Sequence, residues 1–203
     1  MPRQIILASG SPRRKELLEK MGVTFTAIPS DFDEYLDFNR PAAEVAIELG
    51  LGKARTVAEK HPEALVIGGD TIVTINGKQL AKPHDIEEAR ATLKDHADGQ
   101  ALVSSSVVLI CKELNLELTG CDEVNVQFKP YDEAVNELYL ASGDWADKAG
   151  GWGIQSGAAP LVAWMKGRYD TTLGMPTHIL AKWLQEQGID AHSVELTPPV
   201  PQK

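Results

Sequence analysis

No stretch of this 203-residue sequence approaches the roughly 18 consecutive apolar residues that a membrane-spanning helix needs, which excludes a transmembrane role and a membrane partner. The apolar run before Ser9 is too short for the hydrophobic region of an export signal, and charge follows it, so the reading is a cytoplasmic protein. Cysteine is scarce. Cys111 and Cys121 lie ten positions apart with no His or Cys at ligand spacing beside them, which excludes a zinc site and a disulfide framework and leaves reduced, structural thiols. Positive charge is also short: 20 Lys and Arg stand against 29 Asp and Glu, a formal net charge of −9. That balance excludes nucleic acid as a partner, because a polynucleotide backbone is held by extended basic surface. It leaves room for a single nucleotide, which needs only a local group of cations.

What is present reads as one α/β unit, with 43% hydrophobic and 24% charged residues. Gln4–Ala8 is a short buried strand, and Pro12–Met21 a helix with Leu17, Leu18 and Met21 on one face. Ser11 is its N-cap, Pro12 its first residue and Gly22 its stop. A second helix runs from Pro41 to about Lys60, interrupted in propensity by Gly50 and Gly52. The apolar run from Ala64 passes through Asp70 and turns at Asn76-Gly77, a hairpin signal. Asp85 and Glu88 make a capping-box pair before Ile86, Ala89 and Leu93. LVSSSVVLIC and DEVNVQF are strand-like, and a helix spans about Glu133 to Leu140. The Gly-rich segment 142–160 is aperiodic, and long ordered loops of this kind are disproportionately functional. LVAWM is another strand, Pro176–Gln187 a closing helix, and the Pro-rich stretch beyond Gly188 a flexible tail, so that 1–188 forms a single domain. Alternating strands and helices followed by hairpins predict a mixed twisted sheet flanked by helices.

Two places stand out chemically. Arg13, Arg14 and Lys15 occupy the first turn of a helix, the end whose dipole and free N–H groups already favour anions. Either this is a solvated basic helix start, or an incoming anion such as phosphate offsets the mismatch, with Ser9, Gly10 and Ser11 letting backbone N–H groups come close. The spacing is not that of a Walker loop. The second place is Asp70, a carboxylate inside LVIGGDTIV, which is costly to bury unless paired, metal-bound or protonated. It either activates water or holds a metal, or it caps a turn or pairs with a structural Lys. Glu34, Lys53 and Lys82 carry no signal of their own, and Trp152 and Gln155 serve equally as base contacts or as loop packing.

Taken together, SGSPRR at 9–14, FDE at 32–34, LGKA at 51–54, GGDTIV at 68–73, KP at 82–83, KAGGWGIQ at 148–155 and GMP at 174–176 resemble the Maf family in order and spacing over nearly the whole chain. That resemblance implies an inosine-triphosphatase-like fold with two lobes around a central cleft, and a nucleoside triphosphate pyrophosphatase that needs a divalent cation, Mg²⁺ or Mn²⁺. It also implies a homodimer. By position, Asp70 resembles the family's proton acceptor, and Arg13, Thr71 and Gln155 match places associated with base selection. Ser9, Arg14, Glu34, Lys53 and Lys82 match its other active-site positions, with Glu34 and Asp70 as the candidate metal ligands. Asp70-Thr71 and Trp152–Gln155 look like the branch acting on dTTP and UTP. Trp152 stands where Tyr is usual, and the strand after Gly99 lacks the usual His. The alternatives are the branch favouring methylated GTP or CTP, and a nucleotide-binding regulator of cell division.

Overall fold

The computed structural model describes residues 3–34, 37, 39–155 and 157–203. Among them one mixed sheet of eight strands is flanked by helices, as the alternation of patterns predicts. The first half comprises β1 (Ile5–Leu7), α1 (Pro12–Lys20), β2 (Thr26–Ala27), α2 (Ala42–Lys60), β3 (Leu65–Gly68), β4 (Thr71–Ile75) and β5 (Lys78–Leu80). It is followed by α3 (Ile86–His96), β6 (Gln100–Cys111), β7 (Leu116–Phe128), α4 (Glu133–Ala141), β8 (Val162–Lys166), α5 (Tyr169–Thr172) and α6 (Thr177–Glu186). The local signals act as read. Asn76 and Gly77 both have positive φ in the β4–β5 turn, and the Asp85 carboxylate accepts from Glu88 N–H at the start of α3.

The long strand β6 organises the sheet. One edge pairs with β7 along its whole length, and the other pairs with β3 and then β4. Gly68 stands opposite Val108 and Thr71 opposite Ser105, so β3 and β4 share one register and are two halves of a single line interrupted at Gly69-Asp70. At the interruption Ser106 N–H still donates to Asp70 O at 2.8 Å, but Asp70 N–H donates to the Ser106 hydroxyl at 2.9 Å instead of to a backbone carbonyl. The buried Asp70 thus sits at a break in an otherwise apolar strand without losing the partner for its amide.

Gly50, which weakens the helix reading of α2, is required by packing. A Cβ there would lie 2.7 Å from Ser106 Oγ, and one on Gly68 would lie 2.5 Å from Gly50 O. Helix and strand therefore meet backbone to backbone directly behind Asp70. A Cβ on Gly69 would fall 2.5 Å from Ser106 O, a backbone atom that cannot move aside cheaply. Gly69→Ala is accordingly expected to cost about 1–3 kcal/mol, as overpacked core sites do. An unchanged urea midpoint would contradict this packing.

Three segments depart from the reading of the sequence. β7 begins at Leu116, six residues before DEVNVQF, because its first half is half-exposed and lacks an apolar signature. The single turn α5 has no counterpart in the sequence reading; it is too short for periodicity and is held by buried Asp170, which accepts from Thr177 N–H at 2.9 Å and from the Thr177 hydroxyl at 2.5 Å. The segment after Gly188, whose composition predicts a flexible tail, is laid against the body of the protein. Ala191, Val194 and Val200 are buried, Val194 N–H donates to Thr177 Oγ1 at 2.8 Å, and Gln202 forms a parallel bridge with Met165 of β8. Isolated apolar residues at irregular spacing anchor it, a pattern that periodicity does not detect.

Candidate active site

Helix α1 begins without a side-chain cap, as do α2, α5 and α6, but it alone of these carries Arg13, Arg14 and Lys15 in its first turn. Ser11 occupies the N-cap position as expected but its side chain caps nothing, and no acid lies in the first turn. At α3 and α4, Asp85 and Asp132 do cap. The uncapped end of α1 therefore keeps its N–H groups and positive dipole for something outside the helix.

From that turn Arg14 points inward. It is 8% exposed, and burial pushes its pKa down while the nearby Asp70 carboxylate pulls it up; a guanidinium so placed remains protonated. Its Nε donates to Gly174 O at 2.9 Å, Nη1 to Ser9 Oγ at 3.2 Å and Nη2 to Thr71 Oγ1 at 3.2 Å. All three acceptors are neutral. Arg14 thus ties together the loop after β1, the start of β4 and the loop after α5, yet no carboxylate among the described residues pairs with it directly. Gly174 has φ +101°, and a Cβ there would lie 3.1 Å from Thr71 Oγ1, so the glycine of the GMP element keeps this junction open.

Lys53, from the middle of α2, joins the two candidate carboxylates. Its ammonium lies 2.5 Å from Asp70 Oδ1 and 2.9 Å from Glu34 Oε1. The Lys53 and Asp70 side chains are 13% and 12% exposed, whereas Glu34 is half-exposed at the mouth. Both readings of Asp70 therefore meet here: it pairs with a lysine, and that pair faces a cavity.

The cavity measures about 280 Å³, and a second of about 300 Å³ adjoins it around Ser9–Arg13. Arg13, Arg14, Glu34, Lys53, Asp70, Thr71, Lys82 and Gln155 line the first, and Ser9 lines the second. The structure thus brings these nine candidate residues together, whereas Lys15, the third cation of the first turn of α1, lines neither cavity. Five cationic and three anionic side chains line the main cavity, so it carries positive charge in a protein of net charge −9. Its other end is apolar, formed by Val73, Leu80, Val103, Trp152 and Ile154. The Trp152 and Phe128 rings meet in a T-shaped contact with centroids 5.0 Å apart, so packing accounts for part of the Trp152 ring surface. Lys20 holds the Glu16 carboxyl of α1 below its usual pKa range, with a smaller contribution from Gln155.

Three contributors, Asp147, Ser105 and Ser106, lie outside the quoted sequence elements, and a fourth, Lys148, opens the KAGGWGIQ element. Asp147 and Lys148 come from the aperiodic segment: Asp147 lies 3.9 Å from Arg13, and Lys148 pairs with Asp147 at 2.5 Å. Burial works against ionisation of Asp147, but Lys148 and Arg13 outweigh it and hold its pKa below the usual range. Ser105 and Ser106 are fully buried in β6, the first bonded to Thr71 and the second to Asp70. Three consecutive serines in an apolar strand were the available signal, since buried hydroxyls need partners.

A mixed α/β sheet carrying a cation-lined cleft around a carboxylate, with an apolar slot beyond it, defines a protein that holds an anionic ligand with an apolar or aromatic moiety. Residues 4–187 match the family described as Maf-like protein, and the chain belongs to that family. It is 39% identical over 191 residues to the dTTP/UTP pyrophosphatase of Deinococcus radiodurans, covering 94% of this chain and 96% of that protein. It is 37% identical over 186 residues to the dTTP/UTP pyrophosphatase of Symbiobacterium thermophilum, covering 92% and 95%. To the protein of the same name from Pyrococcus furiosus it is 36% identical over 183 residues, covering 90% and 95%. Among the described residues no helix is long and apolar enough to cross a membrane.

Proposed function

We propose that residues 1–188 work as one catalytic unit, a nucleoside triphosphate pyrophosphatase that cleaves dTTP and UTP to the monophosphate and pyrophosphate. The observation that carries this reading is Arg14, a buried cation whose hydrogen-bond partners are all neutral, beside an uncapped helix N-terminus. A charge buried in this way is stabilised by an incoming anion, and phosphate suits both the guanidinium and the helix end. That the relatives are dTTP/UTP pyrophosphatases supports the base preference.

In this reading Arg13, Arg14, Lys53 and Lys82 hold the phosphate chain, and Ser9 supports Arg14 at its base. They stabilise the charge that develops on the departing pyrophosphate. Asp70 orients the attacking water and accepts its proton as the α–β anhydride opens. Lys53 is shared by Asp70 and Glu34 before substrate arrives, and a phosphate oxygen offers it a third acceptor. Thymine or uracil lies in the apolar slot, with Thr71 and Gln155 at its polar rim.

The donor set fits a divalent cation that arrives with the triphosphate. Glu34 and Asp70 converge on one cationic atom, and Mg²⁺ is commonly held by one or two carboxylates together with substrate phosphates. Among the described residues no group of three or more His, Cys, Asp or Glu could cage a metal unaided. When bound, such a cation neutralises phosphate charge and polarises the bond to be broken.

Pyrophosphate release from dTTP, UTP, CTP, methylated GTP and ATP, with Mg²⁺ or Mn²⁺, tests the proposal. Preferential turnover of dTTP and UTP is expected. Preference for CTP or methylated GTP would move the chain to the other branch, and binding without turnover would favour a regulator.

A further inference from the structure

The hydroxyl of Thr71 has a direction, and a buried serine sets it. Ser105 Oγ lies 2.7 Å from Thr171 O, a carbonyl that only accepts, so the single hydroxyl proton of Ser105 is committed there. Thr71 Oγ1 lies 3.0 Å from Ser105 Oγ, and with the serine proton already used, Thr71 must donate to Ser105. Arg14 Nη2 donates to Thr71 Oγ1 from the other side at 3.2 Å. The order is fixed throughout: guanidinium to threonine, threonine to serine, serine to carbonyl.

Thr71 therefore faces the cleft with its proton turned inward and one lone pair unused. Such a hydroxyl accepts but does not donate, so it is matched to an N–H on the ligand and mismatched to phosphate oxygens, which are acceptors themselves. Thr71 and Val73 point to the same face of β4, opposite Ser105 and Val103 of β6, so the acceptor borders the apolar slot. Uracil and thymine carry N–H at ring position 3, flanked by two carbonyls. Cytosine has a bare nitrogen acceptor at that position.

We propose that Ser105, fully buried and out of reach of the ligand, is a specificity-determining positioning residue: it locks Thr71 as an acceptor that favours uracil and thymine over cytosine. The inference rests on the pyrimidine triphosphatase reading and adds the residue that gives that site its polarity. Ser105→Ala removes the acceptor for the Thr71 proton, which is then free to turn toward the cleft and donate to the cytosine nitrogen.

The experiment compares kcat/KM for UTP and CTP, together with equilibrium binding of UMP and CMP, in the wild type and in Ser105→Ala. The preference for UTP over CTP is expected to fall about tenfold, chiefly through a rise in CTP turnover, with UMP-over-CMP binding falling in parallel. Ser105→Thr, which keeps a hydroxyl, is expected to restore the preference. A folded Ser105→Ala protein that loses UTP and CTP turnover in equal proportion would overturn the proposal, because a merely structural serine acts on both alike. Should Ser105→Ala not fold, Thr71→Val reads the same relay, with UMP binding weakened and CMP binding unchanged; equal weakening overturns it. If the wild type binds UMP over CMP but releases no pyrophosphate, the reaction assigned above fails while the binding comparison still decides the relay.

Discussion

Asp70→Asn is expected to lower pyrophosphate release by about 10²–10⁴-fold, the range typical of losing a positioned general base. The substitution preserves shape. Asp70 N–H keeps its bond to the Ser106 hydroxyl, which itself donates to Ala46 O at 2.6 Å, so the backbone at the break in the strand stays in place. What is lost is the negative charge facing Lys53 and the capacity to take a proton from water. Lys53 retains Glu34 at 2.9 Å, so the cation is not left unpaired. Nucleotide binding, read by calorimetry in the presence of Mg²⁺, is expected to remain measurable. Turnover within about threefold of the wild type would remove Asp70 from its assigned role, since no general base of any strength is worth so little.

The second large effect is on stability at acid pH, and it comes from His96 at the C-terminal end of α3. The ring is 1% exposed, lies 5.3 Å from the Phe128 ring, and neither nitrogen has a hydrogen-bond partner among the described residues. Burial pushes its pKa down from 6.5 to about 4. The folded-state pKa lies below the unfolded one, so between these values the unfolded chain binds the proton and the folded protein does not. Stability is therefore full above pH 6.5 and is lost as pH falls, with a slope approaching about 1.4 kcal/mol per pH unit and a total of about 3 kcal/mol at pH 4. Urea unfolding of the wild type and His96→Leu at pH 7.5, 6, 5 and 4 isolates this contribution from that of the carboxylates. The stability difference between the two proteins is expected to shift in favour of the leucine variant by about 3 kcal/mol across that range. Parallel pH profiles would show that the buried imidazole accepts a proton without penalty. Phe128 also packs on Trp152 of the apolar slot, so loosening at His96 is positioned to reach the cleft.

Much of the site was legible because its signals are local. A carboxylate in an apolar run marks Asp70, since burying it without a partner is costly. Three cations in a helical first turn mark the start of α1, since they oppose the dipole. Glu34, Lys53 and Lys82 were legible only through family resemblance. Seventeen positions separate Lys53 from Asp70, and nothing in the surroundings of either residue foretells their 2.5 Å contact. Gly50 reads as a defect in α2 until Gly68 and Gly69 are seen pressed against it.

The sequence by itself determined most of the elements, the cap of α3, the β4–β5 turn, and the presence of a basic helix start and of an acid within an apolar run, because propensity, periodicity and capping act over a few residues. Only the tertiary structure decided how those groups meet. The register of β6, shared by β3 and β4, places Ser106 behind Asp70 and Ser105 behind Thr71. The close crossing of α2 then brings Lys53 to Asp70, and the Gly174 loop closes over Arg14. Strand register is chosen by the burial of whole faces and not by any one residue, so the direction of a hydroxyl in the cleft is a property of the assembled sheet.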